Sequence, residues 1–175
     1  TLHGSLANLW RQKMTVAPRT ALSLCDWPDM DRALWAKATK TGDFLEPDGK
    51  AAHWAAPTKL QVQKGYGKWL YFQNLESDTA SSTPQKPSER ISEATLRAYL
   101  AWLEDQGLAS QTIASRITDL TEALRVMEPE ANLELLRTLC TTLQAQAEPS
   151  RNKHTRIRAP REIWKACEEI GRAHV

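Results

Sequence analysis

Histidine is the side chain best suited to move protons near neutral pH, and the chain has four: His3, His53, His154 and His174. All fall in predicted loops or near the termini, far from one another. None sits in an H-E-x-x-H pattern or beside a cysteine at the spacing of a nucleophile and its base. Cys25, Cys140 and Cys167 are widely separated, without a C-x-x-C, which argues against a zinc site and against a disulfide scaffold. There is no G-x-G-x-x-G and no Walker loop, since Gly65-Tyr66-Gly67 falls inside a predicted helix and lacks the rest of either motif. Glu104, Asp105, Glu128 and Glu130 lie near predicted helix ends and read as surface charges. No catalytic centre, cofactor or metal is expected.

The residues that suit a ligand are of another kind. Lys59, Lys64 and Lys68 recur at near-helical spacing on a predicted helix opened by Thr58 and Gln61, and Ser110, Gln111, Thr112 and Ser115 lead up to Arg116 on another. Hydroxyls, amides and backbone N–H groups at a helix start, with lysine and arginine close by, suit phosphate oxygens and base edges. Taken alone, the same residues also serve as an ordinary cap and solvated charges. The charge distribution sharpens the choice. Net charge is only +2 over 175 residues, yet residues 1–20 carry Arg11, Lys13 and Arg19 and no acid. Residues 150–161 carry Arg151, Lys153, Arg156, Arg158 and Arg161, again with no acid. Basic ends around a mixed centre suit a nucleic acid, and they are also common as solvated linkers.

Two helices joined at a glycine, over Ile91–Met127, must position the second group. Ser92 is the expected N-cap, accepting from the backbone near Thr95, and Ile91 with Leu96 has the spacing of a hydrophobic staple. Leu96, Tyr99, Leu100 and Leu103 mark one face. Gly107 follows as a left-handed terminator, with Leu108 packing back on Leu103. Ser110 reads as the cap of the next helix, whose face runs Ile113, Ile117, Leu120, Leu124 and Met127. Upstream, Trp27-Pro28 predicts a helix start, with Met30, Leu34, Trp35 and Ala38 turned inward and an end before Gly42. Residues 41–57 read as loop, with Trp54 as an anchor.

A helix over Thr58–Glu76 follows, with a capping box between Thr58 and Gln61 and a core stripe of Val62, Tyr66, Trp69 and Leu70. Gly65 and Gly67 each cost about 1 kcal/mol there relative to alanine, which close approach of another helix, or of a ligand backbone, would justify, helix packing being the favoured of the two. Ser77–Arg90 is polar with two prolines and reads as a flexible linker. Glu128-Pro129 ends one helix and starts another, faced by Leu133, Leu136, Leu139, Cys140 and Leu143. Arg161–Ile170 predicts a short helix bearing Ile163, Trp164, Cys167 and Ile170. No segment alternates with period two, so the expected fold is all-α, an orthogonal bundle of about four to five helices.

The order of these elements resembles the N-terminal core-binding, SAM-like domain of tyrosine recombinases, the phage-integrase family. The phrases that carry it are KLQVQKGYGKWLYFQNLE, then ISEATLRAYLAWLEDQGLASQTIASRITDLTEAL, then a basic linker. Gly107, Leu108, Ser110, Thr112, Ile113, Arg116 and Ile117 match the family phrase Gly-Leu-x-Ser-x-Thr-Ile-x-x-Arg-Ile/Leu, and the likeness spans about Trp27–Gln146. It implies a module that lays two crossed helices in the major groove of a recombination half-site, here Thr58–Glu76 and Ser110–Met127. It also implies a basic linker, with Arg151, Lys153, Arg156 and Arg158, running on to a catalytic domain. The family's catalytic residues belong to that second domain. His154-Thr155-Arg156-Ile157 is not its His-x-x-Arg box, and the Ser77–Arg90 insertion is longer than the family's usual connection.

The organisation expected is a basic arm over 1–20, a helical DNA-binding domain over 21–148, a linker over 149–160 and the start of an absent catalytic domain over 161–175. The partner is double-stranded DNA, bound by a monomer without recombinase activity, with oligomers only on DNA and only for the full-length parent. No run of about 18 apolar residues offers a membrane span, and reduced thiols suit the cytoplasm. An all-α interaction domain without DNA binding is the other reading, and a free-standing helix-turn-helix regulator fits the flanking helices less well.

Overall fold

The computed structural model describes residues 20–76 and 85–148, together with Pro160, Arg161, Trp164, Lys165 and Cys167. Within them lie five α-helices and no strand: α1 (Asp29–Thr39), α2 (Ala56–Glu76), α3 (Glu93–Asp105), α4 (Ser110–Met127) and α5 (Glu134–Gln146). The all-α bundle is therefore as expected. Residues 1–19 of the N-terminal arm, residues 77–84 of the Ser77–Arg90 stretch and residues 149–159 of the basic linker lie outside the described residues. Of the expected Arg161–Ile170 helix, the four described residues, Arg161, Trp164, Lys165 and Cys167, are helical, and Trp164 is 71% exposed.

α4 is the hub. It runs along α2 and α5 and also packs against α1 and α3. Its buried residues include Ile113, Ile117, Leu120, Leu124 and Met127, the expected face. The α3–α4 hairpin also forms as its residues dictate. Thr95 N–H donates to Ser92 Oγ at 3.1 Å while Ser92 N–H donates to Thr95 Oγ1 at 2.9 Å, so each satisfies an orphan donor of the helix start. Gly107 adopts φ +66°, where a side chain would be strained.

Several boundaries and faces depart from expectation. α2 begins at Ala56, because Lys59 N–H already donates to Ala55 O at 3.1 Å. Pro57 thus sits inside the first turn, where its missing N–H costs nothing, and Thr58 and Gln61 form no capping box. On α1 the inward stripe is Asp31, Trp35 and Ala38, whereas Met30 is 37% exposed and Leu34 only half-buried. α5 starts at Glu134, several residues beyond Pro129, with Asn132 Oδ1 accepting from Glu134 N–H at 3.0 Å.

The largest departure is at Lys86–Arg90. This segment is no flexible linker: Pro87 is buried in a 3-10 turn, Pro87–Arg90, that docks on the core. Arg90 Nη2 meets Asp31 at 2.6 Å (Oδ1) and 2.5 Å (Oδ2), and Tyr66 Oη donates to Asp31 Oδ2 at 2.7 Å. Burial, opposed by Arg90 and reinforced by Asp31, pushes the Tyr66 phenol well above its usual range. Glu128, expected on the surface, is half-buried and bonds Ser88.

Gly65 explains how α2 and α4 come together. A Cβ at Gly65 would lie 2.3 Å from Asp119 Cβ, and one at Gly67 would lie 2.4 Å from Leu22 O. The two glycines therefore mark close packing. Gly65→Ala gains about 1 kcal/mol in helix propensity but forces overpacking that typically costs about 1–3 kcal/mol. The backbone-proximal clash lies at the costly end, so a net loss of about 1–2 kcal/mol is expected in thermal unfolding. A variant more stable than the parent would show that the helices separate freely.

Candidate nucleic-acid interface

α2 presents no acid before Glu76, and α4 presents none before Asp119. The face they share is therefore built from lysine, arginine, amides and hydroxyls around one carboxylate. On α2, Gln61, Lys64 and Lys68 fall at i, i+3 and i+7, one helical face. Gln61 and Lys64 are exposed and Lys68 is half-buried. Thr58 is exposed on the first turn, away from the crossing at Gly65 along the helix. Lys59 is diverted, because its Nζ donates to Ala52 O at 2.8 Å and so ties the helix start to the preceding turn.

On α4, Ser110 is not the cap. Ala109 takes that position, its carbonyl accepting from Thr112 N–H at 2.8 Å and Ile113 N–H at 3.1 Å. The Ser110 hydroxyl instead accepts Glu148 N–H at 3.0 Å, which brings the end of the described bundle back to the N-terminus of α4. Gln111 is exposed, while Thr112, Ser115 and Arg116 are half-buried. Arg151, Lys153, Arg156 and Arg158 lie outside the described residues.

What the fold adds is Asp119, which has no place in a reading based on cations and hydroxyls. Its side chain is 4% exposed and lies at the α2–α4 crossing. Gln61 Nε2 donates to its Oδ1 at 3.0 Å, and Arg116 Nη1 stands 3.5 Å from its Oδ2. The structure thus gathers Gln61, Lys68 and Arg116 about one interior carboxylate. Burial lowers the Lys68 pKa, and the Arg116 charge lowers it further. Burial likewise raises the Asp119 pKa, against the pull of Gln61, Arg116 and Lys68. The one sequence signal for this acid was Gly65, which implies an opposing side chain without saying which.

A pH dependence follows from Asp119. Since its folded pKa is raised, the group contributes stability that is fully present below the ordinary carboxylate range and is lost as pH rises through the raised value. Asp119→Asn removes that loss. Its stability relative to the parent should therefore climb from acid to neutral pH in urea unfolding, whereas a flat difference would mean that the carboxylate is as well solvated folded as unfolded.

Elsewhere the surface offers little reactive chemistry. A groove of about 390 Å³ between α3 and α5 is floored by Leu96, Leu100, Leu135 and Leu139. Another of about 560 Å³ lies over Met30, Leu34 and Ala131, with Glu89, Glu128 and Glu130 around it. Neither contains a histidine or cysteine. Among the described residues no three His, Cys, Asp or Glu side chains converge to hold a metal ion, and no helix is long and apolar enough to cross a membrane. Comparison of the chain with models of known families, with curated proteins and with solved structures returned no match.

Proposed function

We propose that this chain is a double-stranded DNA-binding module of the kind that forms the core-binding half of a tyrosine recombinase, holding one half-site of its target. The observation that carries the reading is the α2–α4 crossing. Two helices with no acid on their contributing turns except the interior Asp119 place Gln61, Lys68 and Arg116 together, with Lys64, Gln111 and Ser115 on the same two elements. The bond from Glu148 to Ser110 supports it further. Glu148 is followed in the chain by the basic stretch that opens at Arg151. Such a cluster neutralises phosphates and sets the register of a module on a duplex.

The test is a salt-titrated anisotropy measurement of the chain on a random duplex and on candidate half-sites. Counterion release predicts that log K falls linearly with log salt, with a slope near −0.9 per phosphate neutralised. Binding should occur without strand cleavage. A chain that stays folded and shows no salt-dependent binding overturns the reading.

One observation favours an interaction domain instead. Phe44 and Leu45 are 101% and 88% exposed on a loop that is nonetheless ordered, since Asp43 Oδ1 accepts the N–H groups of Leu45 at 2.8 Å and Glu46 at 3.0 Å. A loop held by its own hydrogen bonds displays its apolar pair rather than burying it. On this reading, Phe44→Ser removes partner capture, and neither the parent nor the variant binds a duplex.

A further inference from the structure

The bundle contains two interior arginine–aspartate pairs, and they are unlike each other. Arg90–Asp31 is closed. Both Asp31 oxygens are occupied, at 2.6 and 2.5 Å from Arg90 Nη2, and the Tyr66 hydroxyl adds a third bond. Charge-assisted bonds are shorter and stronger than neutral ones. Arg116–Asp119 is open. Its nearest approach is 3.5 Å, and Asp119 Oδ2 and Arg116 Nε are both buried without a hydrogen-bond partner. Arg90 Nε shares that lack, but the carboxylate it faces is saturated, whereas Asp119 has only Gln61 on its other oxygen.

A buried pair offsets its desolvation only when the geometry is good and the remaining groups are bonded. The open pair meets neither condition, so its purpose is sought in what lies outside it. Arg116 is 25% exposed and Asp119 4%, so the arginine is the member of the pair that solvent reaches. Lys68, on α2, is close enough for its charge to act on both Arg116 and Asp119, which leaves two cations against one carboxylate. Fixed there, Arg116 has a restricted reach. Base edges lie at the floor of a major groove about 8.5 Å deep, while phosphates line its rim.

We propose that Arg116 and Lys68 form a phosphodiester-binding site, with Asp119 as the positioning residue that holds the guanidinium from behind. Arg116 then contacts the backbone of the duplex and not a base edge. This rests on the DNA-binding reading above and names the ligand group that the crossing takes. Gln61 fixes the carboxylate from α2, and Gly65 makes room for it, so the arginine is aimed by the same contact that packs the two helices.

The experiment uses the whole chain, a random-sequence duplex and a panel of defined duplexes, with Asp119→Asn, Arg116→Met, the double variant and Arg116→Lys. Thermal unfolding confirms that each variant is folded. Arg116→Met should flatten the salt slope by about 0.9 and weaken binding roughly fivefold at 0.15 M salt. Asp119→Asn should do the same although it makes the chain more positive, and the double variant should lose no more than either single one. Arg116→Lys, a point charge without the fork, should keep the slope, and preference among the defined duplexes should not change in any variant. Tighter or unchanged binding by Asp119→Asn overturns the proposal, because an acid that merely repels DNA gives that result. A changed base preference in Arg116→Met or Arg116→Lys overturns it too. If the parent chain shows no salt-dependent binding, the DNA reading fails and this site with it. If the parent binds and Arg116→Met does not differ from it, the site alone fails.

Discussion

Replacing Arg151, Lys153, Arg156 and Arg158 together with alanine is expected to lower duplex affinity on the order of 10²–10³-fold at 0.15 M salt. Each lost phosphate contact removes about 0.9 from the slope of log K against log salt, so four contacts flatten it by about 3–4 in all. The residues stand in a stretch without acids that follows directly on Glu148, and Glu148 is bonded to the start of α4. No carboxylate of that stretch competes with the phosphates. Phosphate contacts carry no sequence information directly, so the loss should be equal on half-site and random duplexes. The variant must also melt at the parent's temperature. Unchanged affinity in a folded variant would remove the basic stretch from the interface, whereas a folded parent that binds no duplex would favour the interaction-domain reading.

Arg90→Ala is expected to destabilise the bundle by about 3–5 kcal/mol, because it leaves the Asp31 carboxylate charged and unpaired in the core. Asp31 is 1% exposed in its side chain and Arg90 15%, so neither water nor salt replaces the missing partner. At about 2–4 °C per kcal/mol for a chain of this size, the melting temperature should drop by roughly 6–20 °C. Removing the whole network is a different matter. Asp31→Leu, Tyr66→Phe and Arg90→Met together leave no buried charge and should recover most of the loss, since apolar residues of similar volume often replace a buried ion pair at no net cost. Urea unfolding of the single and triple variants checks both halves. A loss below about 1 kcal/mol in Arg90→Ala would mean that the 3-10 turn at Pro87–Arg90 undocks readily.

That network also shows where local reading stops. Ser77–Arg90 is polar and proline-bearing, and by composition it is a linker. Its last turn nevertheless carries the arginine that neutralises Asp31, 59 residues away in the chain. Asp31 itself stood in view at i with Trp35 at i+4 and Ala38 at i+7, an acid on an apolar stripe. Such an acid demands a buried partner, but the helix it sits on cannot name one. The start of α2 is a milder case. Thr58 and Gln61 have the right spacing for a capping box, yet Ala55 can begin the helix sooner, and packing of the preceding turn through Lys59 and Ala52 favours that.

Helix content, the α3–α4 hairpin and the core stripe of α4 are settled by interactions within a few residues of one another. The Ser92–Thr95 cap, the left-handed Gly107 and the apolar period of α4 need no distant partner to form, so the chain alone determined them. The cationic residues of the crossing were legible for the same reason, as side chains at helical spacing. Which of them act together was decided only by tertiary structure. Lys59 was drawn off to Ala52, Ser110 to Glu148, and Arg116 was set against Asp119 because Gly65 lets α2 approach α4 closely. Long-range pairing of this kind depends on which faces meet when the core is buried. It changes with a single Cβ at the contact, and no local propensity encodes it.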